Sequence, residues 1–159
     1  MQSELDILRE KLLFLTQYLG ELSELREISY KKYMEKNITK RGTERLLQLL
    51  VEVASDLNGI ILTIEGKKVP ESYYDSFIKM GEACIISIDL AQKLASTAGL
   101  RNRIVHEYGE YKDSIVFQNI KKMYELYMEY LLRCNEYIKN KGNSSVTKSL
   151  KIQGGKILK

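Results

Sequence analysis

The chain has 159 residues, 44% of them apolar and 29% charged, with one proline and no tryptophan, which fits a single globular domain and excludes a disordered or collagen-like chain. Its net charge of +4 is unevenly placed: five of the 25 basic residues are lysines beyond position 140, where no acid occurs, and the rest fall one short of the 21 acids. A broad basic footprint for duplex nucleic acid is thus missing from the body of the chain, while the acids in MQSELDILRE and the lack of a long uninterrupted apolar run speak against a signal peptide or a membrane span and for a cytoplasmic protein.

Residues 3–35 contain no proline, and Leu5, Leu8, Leu12, Leu15, Leu19 and Leu22 recur at steps of three and four, with Leu25 and Ile28 continuing the face. That spacing predicts one long amphipathic bundle helix. A second helix is expected from Thr43 to Ile64, ending at Gly66. Its apolar residues cover much more than one stripe, so it must be central or face another subunit. Asp56 and Asn58 interrupt it and are expected to point to solvent.

Pro70 and Glu71 open a short helix that stops near Gly81, and Ser87 is placed to cap the next, whose apolar positions are Ile86, Leu90, Leu94 and Ala95. The stretch LRNRIVHEY can continue that helix to Tyr108 before Gly109 ends it. Asp113 and Ser114 are expected to cap a last helix reaching about Lys139, with Val116, Ile120, Met123, Tyr127, Tyr130, Leu131, Cys134 and Ile138 inward. Cys84 and Cys134 lack a CxxC spacing and read as small buried hydrophobes, which leaves no zinc site or redox motif. The fold class is all-α: an antiparallel bundle of about five helices over residues 1–139, followed by a flexible basic tail at 140–159.

The chemistry concentrates in Arg101-Asn102-Arg103-Ile104-Val105-His106-Glu107-Tyr108, which holds the chain's one histidine. A lone helical histidine is more often a structural hydrogen-bonder than a catalyst, and the arginines could simply pair with Glu107 and Glu110. On a continuous helix, however, Arg101, Asn102, Val105, His106 and Tyr108 share an arc of about 160°. A guanidinium, an imidazole, a phenol and an amide without clustered carboxylates suit a phosphodiester better than a metal ion. Metal-free RNA cleavage needs a base for the ribose 2′-OH, an acid for the leaving 5′ oxygen and a cation for the charge on phosphorus. His106 fits the first or second role and Arg101 the third. A mechanism with two histidines would require two chains to meet at one cleft, which points to a homodimer.

The string Arg101-x4-His106-x-Tyr108, with Asn102 after the arginine and Gly99-Leu100 before it, resembles the signature of HEPN-domain proteins of the HepT toxin type. The resemblance runs from about Thr43 to Ile138. It implies a dimeric, HEPN-like helical bundle acting as a metal-independent endoribonuclease on single-stranded RNA or tRNA, without a cofactor, and paired with a minimal nucleotidyltransferase antitoxin. It also implies that Arg101 and His106 carry the nuclease activity, that Asn102 supports them, and that Tyr108 is the acceptor of AMP from the antitoxin. Arg103 lies outside the defining pattern and is either a phosphate contact or a partner of Glu107. The alternative reading is a non-catalytic nucleotide- or substrate-binding subunit of a nucleotidyltransferase.

Overall fold

The structure, a computed structural model, describes residues 2–157, with side chains through Asn143. Six helices are described and no strand: α1 (Glu4–Ser23), α2 (Tyr30–Glu35), α3 (Asn37–Ile64), α4 (Tyr73–Glu82), α5 (Ile88–His106) and α6 (Glu110–Ile157). The all-α expectation holds, with one helix more than the approximate five.

The extra helix arises because residues 3–35 do not form one rod. The leucines Leu8, Leu12, Leu15, Leu19 and Leu22 are buried as the spacing requires, but α1 stops at Ser23 and tight turns carry Leu25 and Ile28 onto the core. Ser29 then caps α2 by accepting from the Lys32 amide, and an extended Lys36 separates α2 from α3. Capping by Ser3, whose hydroxyl accepts from Asp6 while Asp6 returns a bond to the Ser3 amide, fixes the start of α1.

Helix α3 touches every other helix, as its all-round apolar content demands. It is long and apolar enough to cross a membrane by composition, and half of its most apolar stretch is buried inside this bundle. Asn58 does not face solvent. It is fully buried, accepts from the Tyr130 hydroxyl at 2.6 Å and donates to Ser76 Oγ at 3.1 Å, so the core tolerates it because both ends of its amide are satisfied. Asp56 does lie near the surface, 3.3 Å from Lys11.

Helix α4 starts at Tyr73 behind its cap Ser72, later than the opening expected at Pro70 and Glu71, and Ser87 caps α5 as expected. Helices α4 and α5 approach so closely at Gly81 that an added Cβ would stand 2.7 Å from the Cβ of Ala91. Between them Cys84 turns the chain with φ of 61°, and it is exposed, which corrects the reading of both cysteines as buried; Cys134 is buried as expected. The inward face of α6 is the expected one, from Val116 through Ile138.

Helix α6 starts at Glu110 and continues past Lys139 to Ile157, where the sequence suggested a tail from residue 140. Lys141 bonds Glu65 at 2.8 Å and Gly142 lies against Arg9, so the bundle still gives the chain partners beyond residue 139. Side chains from residue 144 onward lie outside the described residues.

Candidate active site

The last two turns of α5 and the short link to α6 carry all of the motif residues. Helix α5 ends at His106 because Glu107 is extended (φ −100°, ψ 154°) and Gly109 takes a φ of 90°. Tyr108 therefore stands on the link and not on the helix, and the shared helical arc does not include it. What holds for the helical part is the spacing of Arg101 and His106, about 7.5 Å apart along the axis.

Arg101 turns toward the bundle. Its Nη2 donates to Glu52 Oε1 of α3 at 2.9 Å, its guanidinium carbon lies 5.0 Å from the centre of the Tyr73 ring, and Nη1 reaches Asn102 Oδ1 at 3.4 Å. Its Nε is buried without a hydrogen-bond partner among the described residues. Burial alone would raise the Glu52 carboxyl, but the hydrogen bonds from Arg101 and Gln48 outweigh it and hold Glu52 below its ordinary value. The pair stays ionised and aims the arginine.

Asn102 is exposed and lines a cleft of about 1220 Å³ between α1, α3, the 69–74 segment and α5, to which Ile60, Tyr73 and Gly99 also contribute. Arg103 meets Glu107 at 3.5 Å and the Tyr111 hydroxyl at 3.4 Å, so the carboxylate partner foreseen for it is the one it has. His106 is exposed at the end of α5. Tyr108 is 87% exposed. The Lys112 ammonium sits 5.6 Å from the centre of its ring and is itself tied to Glu44 at 3.2 Å.

Beneath that link lies a compact charge network. Glu44 binds Arg41 and Lys112, and Asp113 binds Arg41 at 3.3 Å and Lys40 at 3.5 Å, with Glu44, Lys112 and Asp113 all buried. Asp113 thus works as an anchor between α3 and α6, one turn inside the helix it was expected to cap. Burial pushes the neighbouring Tyr33 hydroxyl well above its ordinary value, and the charges of Glu44 and Asp113 push it further.

One chain brings Arg101, Asn102, Glu52 and Tyr73 together and leaves His106 exposed about a turn and a half away along α5, with Tyr108 exposed on the link beyond it. Glu52, Tyr73, Glu44 and Lys112 were not foreseen from the sequence. Among the described residues no three His, Cys, Asp or Glu side chains converge as a metal site would require.

A family model described as "Ribonuclease HepT-like" matches residues 15–138. The chain belongs to the HepT-like ribonuclease family. It is 33% identical over 132 residues to the tRNA nuclease HepT of Aphanizomenon flos-aquae, covering 83% of this chain and 90% of that protein. It is 27% identical over 131 residues to a putative RNase of Archaeoglobus fulgidus, covering 82% and 95%. In fold it is similar to the tri-AMPylated Shewanella oneidensis HEPN toxin solved in complex with its MNT antitoxin, with a TM-score of 0.74 at 21% identity over 82% of this chain and 98% of that one. Membership agrees with the resemblance carried by the Arg101-x4-His106-x-Tyr108 string, and the HEPN-like architecture is the one expected.

Proposed function

We propose that this HepT-like protein is the toxin of a HEPN/MNT toxin–antitoxin pair, a metal-independent endoribonuclease that cuts tRNA or single-stranded RNA in the cytoplasm. The observation that carries the reading is an exposed imidazole, His106, about a turn and a half along α5 from a guanidinium, Arg101, that Glu52 and Tyr73 hold in a fixed direction. The relative that shares 33% of its sequence is a tRNA nuclease, which favours tRNA as the substrate class.

The 2′-OH attacks phosphorus as a base takes its proton, the bond to the 5′ oxygen breaks, and an acid protonates that oxygen, leaving a 2′,3′-cyclic phosphate and a 5′-hydroxyl. His106 supplies one of the two proton transfers, and Arg101 stabilises the charge gathering on the phosphoryl oxygens. With one imidazole per chain, the second transfer comes from His106 of another copy, so the working site is a cleft shared by a homodimer. Asn102 and Arg103 support RNA binding: Asn102 faces the large cleft, and Arg103 is half exposed despite its contact with Glu107.

Silencing follows from the exposure of Tyr108, the position where AMP arrives. Its oxygen forms a bond to the α-phosphorus of ATP held by a minimal nucleotidyltransferase antitoxin, pyrophosphate leaves, and the phenolic proton passes to a base of that partner. The new phosphodiester places bulk and negative charge two residues from His106 and repels an RNA phosphate. Expression in growing cells tests this function: the wild type stops growth and the His106→Ala protein does not, whereas equal toxicity of the two would overturn the proposal.

A further inference from the structure

Tyr108 is nearly bare to solvent, yet the cation beside it is nearly inaccessible. Lys112 is only 8% exposed, and its ammonium lies 5.6 Å from the Tyr108 ring centre and 3.2 Å from Glu44. Burying an ammonium is costly unless the charge is matched. Glu44 already has Arg41 as a partner, and Asp113 has Arg41 and Lys40, so the network holds three cations against two carboxylates. The lysine is not needed to neutralise Glu44. What it alone adds is a fixed cation against the one aromatic ring on the link.

We propose that Lys112 is the positioning residue for Tyr108: its Glu44-bound ammonium holds the ring by a cation–π contact and so sets where the acceptor hydroxyl stands for AMP transfer. The proposal rests on the reading of Tyr108 as the AMP acceptor. The link has few other constraints, because Tyr108 sits between an extended Glu107 and Gly109, whose φ of 90° favours glycine. A cation held over a ring contributes more when it is desolvated than when it is free in water, and Lys112 is buried. The same surplus positive charge remains beside the ring that carries the phosphodiester once it is attached, which favours the modified state electrostatically.

Three measurements on the full chain test this. In the wild type, NMR is expected to show a contact between the Lys112 ε-methylene and the Tyr108 ring, and its absence overturns the proposal without any variant. With 3-fluorotyrosine placed at position 108, the fluorine resonance should be displaced from that of the free amino acid, return toward it in Lys112→Met, and be restored in Lys112→Arg. A resonance unmoved by Lys112→Met overturns the proposal. AMP transfer to Tyr108 by a minimal nucleotidyltransferase antitoxin with ATP should fall about tenfold in Lys112→Met, through kcat rather than KM, as expected for a misplaced nucleophile, and recover in Lys112→Arg. A wild-type chain that takes no AMP on Tyr108 refutes the acceptor reading, whereas the two NMR measurements still decide whether Lys112 holds the ring.

Discussion

Arg101 of α5 is bound across the bundle by Glu52 of α3, Nη2 to Oε1 at 2.9 Å, while its guanidinium faces Tyr73. The arginine proposed to meet the phosphate is thus held by a carboxylate and an aromatic ring. Glu52→Gln should loosen this aim and remove a negative charge from the phosphate's approach. Cleavage kcat is expected to fall about tenfold, as a misaligned group costs, with KM for RNA unchanged or lower. A raised KM at constant kcat would contradict the positioning role.

The same pair sets an acid dependence. Glu52 has its carboxyl lowered from 4.5 in the folded chain, so its contribution to stability is complete above that value and is lost as pH falls through the lowered one. Both side chains are partly exposed, at 19% and 27%, which limits the contribution to about 1 kcal/mol. Denaturant titrations of wild type and Glu52→Gln should differ by this amount at pH 7 and converge in acid.

Asn58 ties α3 to both α4 and α6 through Ser76 and Tyr130. Asn58→Ala should cost about 2 kcal/mol, since it removes two buried hydrogen bonds and leaves space in the core. That corresponds to a Tm lower by roughly 4–8 °C for a chain of this size. An unchanged Tm would mean that the amide is not the link between these helices.

The two cysteines should behave oppositely toward a thiol reagent. Cys84 is exposed, whereas burial pushes the Cys134 thiol up to about 12. One equivalent is expected to react in the native protein and the second only on unfolding. Cys84→Gly should in addition raise stability by up to about 1 kcal/mol, because its φ of 61° strains any residue with a Cβ.

Much of the fold was legible because it follows from local rules. The leucine steps of α1, the Ser87 cap of α5 and the inward face of α6 are patterns within one helix, and the structure keeps them. The central position of α3 was legible from its apolar content for the same reason. The break at Ser23 was not, since Leu25 and Ile28 stay apolar through a turn that only packing explains.

The motif residues stood out as a string, but their supports did not. Glu52 lies 49 residues from Arg101 and Glu44 lies 68 from Lys112, and the partners each acid has at helical spacing, Gln48 and Arg41, give no sign of the distant one. Tyr108 was placed on the helix because nothing before Gly109 signals a stop. The helix ends earlier, at His106, where Arg103 and Glu107 close the last turn and Lys112 meets the departing tyrosine.

The proposed sharing of one cleft by two chains has its own test. Mixing Arg101→Ala with His106→Ala chains and allowing subunit exchange should restore up to one competent site per mixed dimer if the centre draws its arginine and histidine from different copies. No recovery after verified exchange would contradict that arrangement.

The central claim is tested most directly by incubating the purified protein with a defined tRNA and a single-stranded RNA in EDTA, beside His106→Ala, and mapping the cut sites and end groups. The account predicts 2′,3′-cyclic phosphate ends from the wild type and a rate about 10² to 10⁴ lower from the variant, with helix content unchanged because His106 is exposed. Intact RNA from a dimeric protein shown by mass spectrometry to carry no AMP, or cleavage that persists equally in His106→Ala, would contradict it.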